Sequence, residues 1–534
     1  MRSFSFVRPV QFSILFLLLL PLLSCTKKIS SSDYGLDPKE TVKLVISTEP
    51  PTLDWSKSSD SASSFILENL MDGLVSYDFS KPEVSLKPAL AESWKSSNNS
   101  KTWEFTIRRD AKWTDGQVLT PQHVVDGWER LLNSKTASVY SYFLFGIKNA
   151  QNYNNGSETD FSKLGISIDG QKIKVELNEP SNFPYLLTHH STWPIRNDVI
   201  LKHGDRWTEA ANIVTLGPYK LKTWDHDRAI VFERSDSYFE KKAKTKFVLA
   251  FIIEEQTTAI NLFKGGQVDA LMTLPSAMLG VLKVLPEYEQ IPTLVTYYFG
   301  FNVKKAPMDN ADLRRAVIAA VDRKQVTDMI QGGQTPLTGW IPKGMFGYDE
   351  SAGIGFDLEK AKASYKKAGY SFEKPAPNIV LAYNTNDDHK RIAENIQAQL
   401  KKNLNLTVEI NNEEWKVYLG TLQSNPPHMY RMGWVADYPD PYNFYELMKS
   451  TSDNNHTGWK EKSFDAILKK AAETNVMTEK FKFYSEAQNK LLVDGVAVFP
   501  LYSSVTQQLV SKRIKNFPKN AMSRYSLKEV EVVK

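Results

Sequence analysis

The sequence of 534 residues carries one cysteine, Cys25. Within one chain, that excludes a disulfide framework, a thiolate zinc site and an iron–sulfur cluster. Beyond the N-terminal segment there is no apolar run of about 18 residues, so the body is not expected to be a channel or permease. A surplus of one charge is also missing. Lys and Arg number 66 against 61 Asp and Glu, a net charge of +5 to which Arg2 and Arg8 contribute two. No nucleic-acid footprint is indicated. Enzyme signatures are scarce as well. There is no GxGxxG after a strand, no GxxxxGK[ST], no HExxH and no GxSxG. His189-His190 is the one histidine pair; read on a strand, its two rings point to opposite faces, which disfavours a shared metal. No spacing of carboxylates singles out an acid–base pair. The expectation is a protein that is not an enzyme and holds no metal or cofactor.

Aromatics, by contrast, are abundant: 12 Trp, 23 Tyr and 27 Phe. They suit several cores and the apolar walls of a ligand cleft. The N-terminus has the three parts of a secretory signal over residues 1–24: a basic end, an apolar run from Phe12 to Leu23, and a small residue before a cut. Leu22-Leu23-Ser24-Cys25 resembles the bacterial lipobox, which is cleaved before its cysteine and lipidated on the sulfur. Thr26 to Glu40 is polar and reads as a tether. The mature protein is thus expected outside the cytoplasm, at the periplasmic or extracellular face of a bacterial membrane, anchored through lipid on Cys25.

Strand and helix signals alternate through the body. Thr41–Ile46, Trp103–Arg108, Tyr219–Trp224, Ala229–Arg234, Ile379–Tyr383, Leu406–Ile410 and Val496–Tyr502 read as strands. Ile166–Leu177 reads as a hairpin turning at Asp169-Gly170. Helices are predicted over Ser61–Leu74, from Pro121 after a Thr120 cap, and over Asp312–Ile330, Leu358–Ala368, Asp388–Lys402, Phe464–Ala472 and Lys480–Leu492. The class is α/β with mixed sheets. No Gly/Pro/Ser-rich linker divides the body.

One loop concentrates chemistry: Tyr430-Arg-Met-Gly-Trp-Val-Ala-Asp-Tyr-Pro-Asp-Pro441. On residue types alone it is either a strand ending in a proline-capped turn or the lining of a cleft. As a lining it offers an anion, a cation and a flat apolar wall, which suits a zwitterion with its ammonium on Asp437 and its carboxylate on Arg431.

At this point the chain resembles the family 5 solute-binding proteins of ABC importers, most closely the oligopeptide-binding members. The likeness runs from about Thr41 to Tyr502, with its motifs in family order. They include Glu49-Pro-Pro-Thr-Leu-Asp54, Pro88-Ala-Leu-Ala-Glu-Ser-Trp94, the stretch from Thr102 to Gly116, Asn212-Ile-Val-Thr-Leu-Gly-Pro-Tyr219, Tyr383 to Lys390, Glu414-Trp-Lys416 and Gly433-Trp-Val-Ala-Asp-Tyr438. The resemblance implies a two-lobed periplasmic-binding-protein-like (class II) fold with an extra domain and a hinge of two crossing strands. It implies a signal peptide over 1–24, a lipidated cysteine and tether over 25–40, lobe I over 41–60, 189–292 and 505–534, the extra domain over 61–188, and lobe II over 293–504.

The resemblance also assigns roles. Asp437 lies where peptide-specific members hold the α-ammonium, and Glu49 matches a lobe I carboxylate near the peptide's start. Arg431 and His389 match basic groups that meet the peptide carboxylate at different lengths. Trp434 and Trp415 match pocket walls, with Gly433 beside them and Tyr142 the loosest of these alignments. Departures from the family pattern are Leu422, where peptide binders can carry an arginine, Val435, where cysteine is commoner, and Asn425-Pro-Pro427. The implied function is a monomeric receptor that captures short peptides and delivers them to an ABC permease with its ATPase subunits. A murein-peptide receptor of the same fold is the nearest alternative, and a secreted hydrolase a more distant one.

Overall fold

The computed structural model describes residues 31–80, 84–474 and 476–533. The signal segment and Cys25 lie outside the described residues. The body is built on one eleven-stranded sheet. Its strands in chain order are β1 (Thr41–Ile46), β2 (Tyr219–Asp225), β3 (Ala229–Arg234), β4 (Phe247–Ile252), β5 (Ala270–Leu271), β6 (Tyr288–Phe301), β7 (Thr335–Pro336), β8 (Ile379–Asn384), β9 (Val408–Glu413), β10 (Met429–Val435) and β11 (Val498–Val510). Across the sheet they run β9-β8-β10-β6-β11-β5-β1-β4-β3-β2, with β7 pairing off β11. Parallel and antiparallel pairs are mixed: β1 is parallel to β4 and β5, β8 to β9 and β10, whereas β6 pairs antiparallel with both β10 and β11. Central strands are apolar on both faces, as β1 illustrates with Val42, Leu44, Val45 and Ile46 all buried. That is the pattern of a strand covered by helices on either side.

The sheet falls into two lobes because two strands are much longer than the rest. β6 has 14 residues and β11 has 13. Tyr288–Pro292 pairs with Val505–Leu509 on one side, Thr296–Gly300 with Val498–Ser503 on the other, and the register shifts between Pro292 and Thr296. Pro292 has no N–H to give the ladder, so the crossing point is the weakest part of this pair. These two strands form the hinge between the lobes. An additional antiparallel sheet of four strands, in the order Ala91–Ser97, Thr102–Ile107, Lys172–Glu176, Ile166–Asp169, packs with the helix Pro121–Leu132 as an extra domain. Trp113 and Trp128 are fully buried in its core, each contributing on the order of 3 kcal/mol of apolar burial.

Most predicted elements are found within a few residues. The long helix expected over Asp312–Ile330 is instead two, Ala311–Ala319 and Arg323–Ile330. Asp322 breaks it by capping: its side chain accepts the Lys324 N–H at 2.9 Å while its own N–H donates to Gln399 Oε1 at 2.7 Å. The buried face continues across the break, since Val317, Ala320, Val321 and Val326 are all inside. The helix expected over Ser61–Leu74 ends at Leu70. The last strand runs on from Tyr502 to Val510 through polar residues, because it crosses from one lobe to the other.

Candidate functional site

β10 is the spine of the site. It is flanked by β8 and β6, and its partner Gly300 in β6 lets the Tyr430 ring lie on the backbone, where an added Cβ would meet it at 2.1 Å. After Val435 the chain leaves the sheet. Pro439 and Pro441 prevent further pairing, and Asp440 Oδ1 accepts the Tyr442 N–H at 2.8 Å to start the short helix Tyr442–Glu446. That turn brings Asn443 back under Asp437.

Asp437 is 8% exposed. Its backbone N–H donates to Asn443 Oδ1 at 2.9 Å, and its Oδ2 accepts from Asn443 Nδ2 at 3.1 Å. The same Asn443 Oδ1 accepts the Trp434 indole N–H at 3.0 Å, so Trp434 and Asp437 are held by one side chain. The Asp437 carbonyl accepts from the Tyr77 hydroxyl at 2.8 Å and from Arg524 Nη2 at 3.3 Å. Arg524 is ion-paired to Glu68. The Asp437 carboxylate itself faces His189 Nε2 at 3.5 Å. Burial pushes the Asp437 carboxyl up to about 6, with Arg524 and Asn443 pulling it back.

His189 does not neutralise it. Burial holds this imidazole well below its usual 6.5, with His190 and Arg524 adding to the effect. The Ser191 N–H donates to His189 Nδ1 at 3.3 Å, which makes Nδ1 an acceptor and leaves the proton on Nε2, toward Asp437. The two histidines are not on a strand, as the sequence suggested. His190 opens a short 3-10 turn, His190–Thr192, that stacks the rings 4.0 Å apart. Tyr140 lies 4.2 Å from His189 and 6.4 Å from Trp434, closing an aromatic wall.

A second cluster lies at the other end of β10. The helix Asp387–Leu404 is capped by Asn386, whose side chain accepts from the Asp388 and His389 N–H groups at 2.9 and 3.2 Å. This sets His389 in the first turn, stacked 5.7 Å from the Tyr297 ring. The Arg431 guanidinium lies over the same Tyr297 ring, 4.5 Å from its centroid, and donates from Nη1 to Asn384 Oδ1 at 3.2 Å. Arg431 Nε, His389 Nδ1 and the Tyr297 hydroxyl are buried without a hydrogen-bond partner. Burial, then Arg431, holds His389 well below its ordinary value, so it is neutral. A cation with a free N–H and two further unsatisfied polar groups beside it is what an incoming carboxylate would need. Gly433 stands between the clusters; a Cβ there would meet Arg431 Nη2 at 3.4 Å.

The remaining expected residues lie apart from these clusters. Trp415 begins the helix Trp415–Ser424 and is close enough to the buried Asp60 to help pull down a carboxyl that burial raises. Glu49 accepts from the Trp224 indole at 2.8 Å, His226 Nδ1 at 2.9 Å and the Asp227 N–H at 3.2 Å, and so ties down the β2–β3 hairpin. Tyr142 is stacked 5.9 Å from Tyr140 and lines a neighbouring cavity. Leu422 is buried beside Tyr418 and Tyr430. Sequence reasoning missed His189, Asn443, Arg524, Tyr77 and Tyr297. Only the His189-His190 pair had been marked, and a 3-10 turn rather than a strand gave it its place.

Residues 85–456 match a family model described as bacterial extracellular solute-binding proteins, family 5 Middle. The chain belongs to this family. It is 33% identical over 495 residues to the periplasmic oligopeptide-binding protein OppA of Escherichia coli, covering 89% of each. A crystal structure of Haemophilus influenzae OppA in complex with RPPGFSPFR superposes with a TM-score of 0.87 at 29% identity, covering 93% of this chain and 100% of the other. The murein tripeptide-binding protein MppA of E. coli gives 0.87 in one structure, with 28% identity over 93% of this chain and 99% of the other. Its unliganded open form gives 0.64, over 93% and 98%. The lobes of this chain are therefore disposed unlike that open form. Direct contacts across the cleft agree: Asp388, on the lobe that carries β10, accepts from the Ser276 N–H of the other lobe at 3.1 Å. The family and these relatives are binding proteins. Among the described residues, no helix is long and apolar enough to cross a membrane.

Proposed function

We propose that this protein is an extracytoplasmic receptor for short oligopeptides, which it holds by their termini and backbone and hands to an ABC permease with its ATPase subunits, without catalysing a reaction. The observation that carries the reading is the Asp437 carboxylate: buried, raised to about 6, and faced by a neutral histidine, while the nearby Arg524 guanidinium is ion-paired to Glu68. A buried charge of this kind is costly until an ammonium pairs with it. Arg431, His389 and Tyr297 offer the complementary end, with unfilled donors for a carboxylate. Arg431 and Asp437 are six residues apart, so they stand at most about 20 Å from each other along the chain. That is room for about six extended residues of ligand at most. Backbone recognition in a strand-like manner leaves side chains free to vary. The likeness to MppA keeps a cell-wall peptide as the second reading, since it too presents an amino terminus.

Glu49, Trp415, Trp434 and Gly433 are proposed to line the rest of the peptide cleft, whereas Tyr142, expected there from the sequence, faces the neighbouring cavity. The register shift between Pro292 and Thr296 supports a boundary of lobe I at 292 and of lobe II at 293, with 504 and 505 opposite; the extra domain is assigned to 61–188. Cys25 is the proposed lipid attachment point, and Cys25→Ala should move the protein from membranes to the soluble fraction. The test of the receptor reading is thermal. Free trialanine and other short peptides should raise the melting temperature, as any ligand of the native state does, while their N-acetylated forms should not. Equal shifts from both forms would remove the ammonium site.

A further inference from the structure

Beyond the ammonium site lies a cavity of about 610 Å³, between the 142–186 segment of the extra domain and the 438–484 segment. Asp437, His189 and Trp434 are not among its described lining residues. Phe143 is the partition. Its ring is 5.1 Å from His189 on one side, 5.0 Å from Tyr142 on the other, and 6.3 Å from Tyr438. The volume is that of a small-molecule site.

Phe143, Phe183 and Leu186 give the cavity an apolar wall. Its charges are unevenly satisfied. Asp440 holds Lys480 and the Tyr484 hydroxyl, Glu473 holds Lys469, Glu179 holds Lys101, and Asp465 accepts the Ser450 N–H. Glu446 accepts from the Tyr438 hydroxyl at 2.5 Å and from Asn443 at 3.3 Å, and burial pushes its carboxyl up to about 8, so it is uncharged at neutral pH. Lys449 is different. Its ammonium has the Tyr442 hydroxyl at 3.5 Å and the Tyr442 ring at 6.0 Å, and it feels the Glu446 and Asp465 carboxyls electrostatically, but it forms no ion pair within 4 Å among the described residues. The Tyr142 hydroxyl and Ser452 Oγ, also on the lining, are buried with no hydrogen bond. One unpaired cation, two idle hydroxyls and an aromatic wall match a single anionic head on an apolar body.

We propose that this cavity is a second ligand site, which binds an amphipathic organic monocarboxylate with its carboxylate on Lys449, Tyr142 and Ser452 and its apolar body against Phe143, Phe183 and Leu186. The ligand would span the extra domain and the lobe that carries Asp437.

The probe is indole-3-acetate, with indole-3-acetamide as its uncharged twin, titrated calorimetrically into the whole mature protein. The acid should bind at least about tenfold more tightly than the amide, the scale of one charge-assisted hydrogen bond. Lys449→Met should abolish that difference, and saturating trialanine should leave the acid's affinity within about twofold. Failure of both probes to bind, equal binding of the two, or discrimination that survives in K449M would overturn the proposal. Competitive displacement by trialanine would also overturn it, by assigning the cavity to the peptide cleft. The comparison of acid with amide uses the unaltered protein, so it stands if K449M does not fold and whether or not peptides bind.

Discussion

Asp437 Oδ1 stands 3.5 Å from His189 Nε2, and the histidine, deeply buried, is neutral. The histidine therefore brings no charge to the carboxylate beside it, and the consequence is a pH dependence with a definite sign. Raising the carboxyl from 3.8 to about 6 corresponds to roughly 3 kcal/mol against the ionised form in the empty closed state. The penalty is absent below about pH 3.8, where the acid is protonated in either setting, grows as pH rises from there and is complete above about 6. A ligand ammonium removes it. Peptide binding should hence release a proton below about pH 6, and affinity should fall by up to about tenfold per pH unit there. Calorimetry in buffers of different ionisation enthalpy measures this. Asp437→Asn should weaken binding by about 2–5 kcal/mol and flatten the pH profile. Unchanged affinity in that variant would take Asp437 out of the site.

The basic end makes a separate prediction. Arg431 Nε and His389 Nδ1 are buried without partners around the Tyr297 ring. For a peptide long enough to reach them, a free C-terminal carboxylate should bind more tightly than the amide by about 1.5–3 kcal/mol. Arg431→Met should erase that preference and leave the amide's affinity nearly as it was. The measurement is a matched set of acids and amides from two to six residues. A preference that survives in the variant at every length would exclude Arg431 as the carboxylate partner.

How much of this was legible beforehand follows from how each signal is encoded. β1 and the hairpin Ile166–Glu176 were readable because alternation and a turn lie within a few adjacent residues. Asp437, Trp434 and Arg431 were readable as a dense run of chemistry in one loop. Asn443 was not, because a buried amide that holds two neighbours looks in sequence like any turn residue after Pro441. Arg524 and Glu68 were beyond reach: 456 residues separate them, and only the fold brings them together. β6 was hidden for another reason. Its 14 residues contain Pro292 and no clean alternation, because they serve two lobes in turn. Glu49 shows the reverse error source, since a motif can fix a residue's position without saying which neighbours occupy its oxygens.

Closure of the cleft has a contact that needs no ligand. Asp388 accepts from the Ser276 N–H at 3.1 Å and from the Ser276 hydroxyl at 2.5 Å, and Arg391 donates to that same hydroxyl. Asp388 and Arg391 sit at the start of the helix that carries His389, while Ser276 belongs to the lobe that carries β1. The contact exists only when the lobes are together, and a hydrogen bond to a charged group contributes about 1.5–3 kcal/mol. Ser276→Ala should therefore shift the empty protein toward open forms by roughly ten- to a hundredfold. Small-angle scattering should report a larger radius of gyration without ligand, and peptide dissociation should speed up. The melting temperature of the isolated lobes' cores should hardly move, because Ser276 is not part of either core. An unchanged radius together with an unchanged dissociation rate would show that the Ser276 hydroxyl contact with Asp388 does not govern closure.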